Sequence, residues 1–150
     1  MVSQDYEDLF KILNACKIKY LIVGAHAVTF YTEPRFTKDI DVWIPAELNP
    51  PGKIHAALKK FGAPLQDISA EDFMDQKMIL QIGVAPVRVD ILMSVPGVSI
   101  AQAWKNKKRG RYGKTKVFVL GLTDLIRAKR AAGRPQDKLD LKKLLARKRK

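Results

Sequence analysis

The sequence predicts an α+β fold, a single domain built on a mixed β-sheet with flanking helices, and three observations carry that expectation. Hydrophobic residues make up 47% of the 150 and charged residues 29%, an ordinary balance for a chain of one domain that buries roughly 70% of its unfolded surface. Segments of helical period and short β-rich runs follow one another in the order αβαβαββαβαα, with neither the strict βαβ alternation of a parallel sheet nor an all-β pattern. Glycine and proline fall between those segments, and no low-complexity tract, repeat or linker divides them.

The elements follow in order. Residues 5–15 place Leu9, Ile12 and Leu13 at helical spacing, with acids in the first turn where the helix dipole favours them. Residues 19–23 read as a short apolar strand ended by Gly24, and residues 25–31 as a packed helix of small and apolar side chains that Glu33-Pro34 breaks. Residues 39–44 form the second strand, stopped by Pro45, and residues 51–61 an amphipathic helix closed by Gly62-Ala63-Pro64. A helical turn over 70–75 precedes two β-rich runs, 78–84 and 87–93, read as a hairpin joined at Ala85-Pro86. A short helix over 99–104, a basic loop over 105–114 and a strand over 116–120 come next. Thr123-Asp124 caps a helix over 125–132, and a last helix runs over 136–146. Residues 1–150 are thus one domain with a basic C-terminal helical segment, 122–150.

The chemistry concentrates in three places. On an extended strand side chains alternate, so Asp39 and Asp41 project from one face while Ile40, Val42 and Ile44 point to the other. Arg88 and Asp90 share a face of the later strand in the same way, which lets a third carboxylate join the first two. Adjacent carboxylates repel unless a proton or cation lies between them. Oxygen-only ligands beside the glycine turn at Gly24, where free helix amides can hold phosphate, are the ingredients of a magnesium-nucleotide site.

These residues resemble a known family. Leu21-Ile22-Val23-Gly24-Ala25-His26-Ala27-Val28, Pro34-Arg35-Phe36-Thr37-Lys38-Asp39-Ile40-Asp41-Val42 and Arg88-Val89-Asp90-Ile91-Leu92 are similar to the DNA-polymerase-beta-like nucleotidyltransferases, in particular their small prokaryotic, minimal members. The tail from Leu125 through Lys129 and Arg134 to Asp137 and Asp140 resembles the closing lysine and paired-aspartate segment of the abortive-infection toxin branch. The resemblance implies that Asp39 and Asp41 bind two magnesium ions bridging a nucleoside triphosphate, and that Asp90 completes one metal site and helps activate the acceptor hydroxyl. It implies catalysis by these three aspartates and transfer of a nucleoside monophosphate to an acceptor hydroxyl. Nucleotide contacts are expected from Gly24, Ala25, His26, Arg35, Thr37, Lys38 and Lys129. One departure stands out: the family's usual serine or second glycine after Gly24 is Ala25 here, so a hydroxyl on the phosphate is missing.

Charge bears on the acceptor. The net charge of +13 divides into −2 over residues 1–103 and +15 over 104–150, an asymmetry that points to a polyanionic partner. RNA, including transfer RNA, is the expected acceptor, held by the basic segments 105–116 and 127–150. Two alternatives stand beside this reading: a catalytically inactive module of the same fold that binds RNA or protein, and one half of a toxin-antitoxin pair. A protein partner or a homodimer would complete an acceptor site for which so short a chain has little room. Cys16 stands alone, excluding an intrachain disulfide and a cysteine-rich zinc site. No apolar run reaches the roughly 20 residues that span a bilayer, and the acidic N-terminus lacks a signal core. The expected location is the cytoplasm, with no membrane partner.

Overall fold

The computed structural model describes residues 3–34, 39–83 and 87–149. Helix α1 (Gln4–Ala15) starts where the Ser3 side chain accepts the Tyr6 amide, and it buries Tyr6, Leu9, Phe10 and Leu13. Strand β1 (Leu21–Val23) leads directly into α2 (Gly24–Thr29). Strand β2 (Asp39–Trp43) precedes α3 (Pro51–Phe61), which has proline at its start, where no amide is needed, and left-handed Gly62 at its end. After a 3-10 turn (Ala70–Met74), β3 (Ile79–Ile82) and β4 (Arg88–Leu92) pair antiparallel, as the hairpin reading expects. The Ala85-Pro86 joint itself lies outside the described residues. The chain continues through α4 (Ile100–Lys105), β5 (Lys108–Tyr112), β6 (Thr115–Val119), α5 (Leu122–Ala132) and α6 (Pro135–Lys148).

Two expectations are corrected here. The basic stretch read as a loop over 105–114 contains strand β5, paired antiparallel to β6 from Lys108 to Tyr112. Its exposed cations hid it, because an edge strand needs no apolar alternation on its open face. Helix α5 begins at Leu122 with Gly121 as its cap, not at Leu125 behind Thr123-Asp124. Gly121 packs so tightly on the Asn106 carbonyl that a Cβ there would clash.

The sheet is mixed, in the order β3-β4-β2-β1-β6-β5. β2 runs antiparallel to β1 and parallel to β4, while β1 runs parallel to β6. Registered neighbours share a face. One face therefore carries Ile22, Ile40, Val42, Val89, Ile91, Val117 and Val119, all buried. Helix α1 lies on this side, with Phe10 stacked on Tyr20 at 5.7 Å. The opposite face carries Asp39, Asp41, Arg88 and Asp90, and there Val23 and Leu92 line a cavity together with Leu125 and Ala128 of α5. Among the described residues no helix is long and apolar enough to cross a membrane.

Candidate active site

The parallel pairing of β2 with β4 decides the site. Asp41 stands beside Asp90 in the register and Asp39 beside Arg88, so three carboxylates and one guanidinium meet on one sheet face. Arg88 bridges them. Its Nε and Nη2 donate to the two oxygens of Asp90 at 3.1 and 3.0 Å, and Nη2 reaches Asp39 Oδ2 at 3.0 Å. Among the described residues Asp39 Oδ1 is buried with no hydrogen-bond partner, a costly arrangement for an acceptor unless something binds there. Burial pushes the Asp41 carboxyl up to about 7, the Asp90 and Asp39 charges push the same way, and Lys129 opposes them. The cluster thus holds a proton that free carboxylates would release.

Gly24 turns the chain beside these groups. Its φ of +67° is one that L side chains rarely adopt, and a Cβ on it would overlap Asp41 Oδ2. Both the turn and the close approach therefore require glycine. The following helix is only six residues long, so what it offers an anion is free amides more than a long dipole. Ala25 and His26 occupy its first turn. The His26 ring lies edge-on to Tyr6 at 5.8 Å, with Tyr112 at 6.5 Å. Burial, partly opposed by Asp39, lowers its pKa to about 4, which keeps it neutral at physiological pH. Arg35, Thr37 and Lys38 lie outside the described residues.

Lys129 closes the other side. A cavity of about 150 Å³ is lined by Gly24, Asp41 and Lys129, with apolar walls from Val95, Pro96 and Leu125. Lys129 is buried, and its Nζ lies 2.9 Å from Asp137 Oδ1 and 3.1 Å from Asp140 Oδ2. Asp137 also accepts the Arg134 amide at 3.1 Å and its Nε at 2.6 Å. Burial would raise the Asp137 carboxyl, but hydrogen bonds from Arg134 and Lys129 outweigh it and hold it at about 2. Asp137 thus caps α6, and with Asp140 it anchors a lysine on α5. Their spacing of three shows a shared helical face, yet nothing in that spacing names Lys129 as the partner.

The residues fit a hard divalent cation. All the side-chain donors are carboxylate oxygens, one is a buried atom without a hydrogen-bond partner among the described residues, and Arg88 with a retained proton offsets all but one of the cluster's negative charges. Among the described residues no three acidic or imidazole groups already converge as a cation cage. Asp39 and Asp90 both bond the Arg88 guanidinium.

A family model described as a nucleotidyl transferase of unknown function, DUF2204, matches residues 2–150. No curated protein matches the sequence. Among solved structures the chain is similar to the antibiotic-resistance factor ANT(2'')-Ia, with a TM-score of 0.65 and 14% identity over 95% of this chain and 81% of that one. It is similar to a candidate nucleotidyltransferase of Thermotoga maritima, with a TM-score of 0.61 and 18% identity over 97% and 96%. The lincosamide antibiotic adenylyltransferase LnuA, solved with lincomycin bound, gives 0.60 and 14% over 97% and 98%. At these identities the likeness is one of fold.

Proposed function

The chain belongs to the nucleotidyl transferase family DUF2204, and from that membership we propose a magnesium-dependent transfer of a nucleoside monophosphate from a triphosphate to an acceptor hydroxyl, with RNA as the acceptor. The observation that carries it is the registered trio Asp39, Asp41 and Asp90, with an unpartnered oxygen on Asp39 and a retained proton on Asp41. Asp39 and Asp41 would hold the metal ions, with Asp90 completing one site. Bound magnesium would neutralise the triphosphate and lower the pKa of the acceptor hydroxyl.

The chain's own groups have separable tasks. Gly24 lets backbone amides approach the phosphates, and the apolar wall of Val95, Pro96 and Leu125 shields the cavity from water. Asp90 sits beside Asp41 to receive the hydroxyl proton as the acceptor oxygen bonds to the α-phosphorus and the α–β bridge breaks, releasing pyrophosphate. The acceptor reading rests on the charge of +15 over residues 104–150, which a small neutral acceptor would not need.

Incubation with each labelled triphosphate, magnesium and total RNA tests this. We expect label in RNA with the wild type and its loss in Asp39→Ala and Asp41→Ala, with circular dichroism unchanged. Unchanged transfer in both variants would sink the assignment. RNA binding with no triphosphate binding in calorimetry would favour the catalytically silent module.

A further inference from the structure

The β5–β6 hairpin carries a cationic strip that the catalytic cluster does not use. Strand alternation splits it in two. Lys108, Gly110 and Tyr112 face α1 and α2, with Lys108 Nζ 4.6 Å from the Tyr31 ring centroid and Gly110 against Phe30. Arg109 and Arg111 take the other face, directly opposite Phe118 and Lys116 of β6. Arg111 beside Lys116 is a like-charge cross-strand pair, which costs stability where nothing neutralises it. Arg109, Arg111 and Lys116 are all exposed, and among the described residues no carboxylate forms an ion pair with any of them. Trp104 packs on Phe118 at 5.7 Å with Lys107 over its ring at 4.2 Å, adding a fourth cation beside an aromatic floor. Arg109, Arg111, Lys116 and Phe118 line a groove of about 390 Å³.

The register places this strip relative to the site. Asp41 neighbours Val23, Ile22 neighbours Val119, and Phe118 neighbours Arg109. The face that carries Asp41 is therefore the face that carries Phe118, Arg109, Arg111 and Lys116. Three strand spacings separate β2 from β5, roughly 14 Å across the sheet. A polyanion lying on the strip thus shares the sheet face on which an acceptor hydroxyl must arrive.

We propose that this outer face of the hairpin is the docking track for the single-stranded end of an RNA acceptor, with Arg109, Arg111, Lys116 and Lys107 on its phosphates; this rests on the reading of RNA as acceptor. A cationic groove with an aromatic floor suits a single strand read through its backbone. An acidic protein surface would satisfy the charges but offers no bases to stack on the Trp104–Phe118 floor.

The test is fluorescence anisotropy with a labelled single-stranded RNA oligonucleotide, without magnesium or triphosphate, from 50 to 200 mM salt. We expect Arg109→Ala/Arg111→Ala/Lys116→Ala to bind at least 10-fold more weakly, with a salt slope reduced by about 2, near 0.7 for each lost phosphate contact. A charge-matched variant on α6, Lys138→Ala/Lys142→Ala/Arg149→Ala, should lose less than 3-fold. Equal losses in the two variants, no loss in the hairpin variant, or displacement of the RNA by polyglutamate at equal charge would each overturn the proposal. Because binding is read without catalysis, retained RNA binding with no nucleotide transfer would refute the proposed activity and leave the track standing.

Discussion

Asp41→Asn offers a test of the carboxylate cluster that needs no substrate. In the folded protein the Asp41 carboxyl titrates near 7, against an ordinary value of 3.8. Between those values the folded state keeps a proton that the unfolded chain has released. Stability therefore falls as pH rises through this window, by about 1.4 kcal/mol per unit and on the order of 4 kcal/mol in all. The proton belongs to the trio as much as to Asp41, since Asp90 and Asp39 lie beside it. Asparagine keeps the shape and removes the repulsion. The variant should match the wild type near pH 4.5, which is clear of the range in which Asp137 protonates. At pH 8 it should melt roughly 8–16 °C higher, at about 2–4 °C for each kcal/mol. Thermal melts by circular dichroism from pH 4.5 to 8.5 in the presence of a chelator measure the gap. Magnesium should raise the melting temperature of the wild type and leave that of the variant unchanged. A gap independent of pH, or a variant less stable than the wild type at pH 8, would refute the reasoning.

Two further predictions concern the walls of the site. Gly24→Ala should lose activity at least 100-fold, because its Cβ overlaps Asp41 Oδ2; Gly62→Ala, also at positive φ but in open space, should show only the backbone cost of about 1–2 kcal/mol, and equal behaviour of the two would show that the contact with Asp41 does not matter. Lys129→Met removes the ammonium that bonds the buried carboxylates of both Asp137 and Asp140 and should destabilise the fold by about 3–5 kcal/mol, while Lys129→Met/Asp140→Asn should recover part of that loss in a urea melt.

Much of the site was legible because strands have a period of two. Alternation alone places Asp39 with Asp41 and Arg88 with Asp90, and the structure keeps both pairs on one face. What alternation cannot give is adjacency. That β4 pairs parallel with β2, so that Asp41 meets Asp90 and Arg88 reaches Asp39, depends on how the chain crosses from one strand to the other. Strand β5 escaped for a different reason, since an edge strand of lysines and arginines reads as a solvated loop until its partner is known. The turn at Gly113, with φ +59°, was the signal that could have found it. The bond from Lys129 to Asp137 and Asp140 was hidden because Gly133 and Arg134 fold α6 back beside α5, and sequence spacing does not report that angle.

Those same bonds bear on how a triphosphate would be held. Lys129 faces the cavity with Asp41, yet its ammonium is within 3.1 Å of two carboxylates. A phosphate approaching it meets a charge already neutralised, and would have to displace two buried carboxylates whose desolvation that lysine helps to offset. Its pull on Asp41 is outweighed by burial and two neighbouring carboxylates. With Ala25 supplying no hydroxyl and α2 too short for a strong dipole, the anion-binding strength of this face falls chiefly on the amides after Gly24 and on the cations that the three aspartates would recruit. A nucleotide should therefore bind poorly without divalent metal, and the affinity gained on adding magnesium should exceed that lost in any single substitution of Lys129 that preserves the fold.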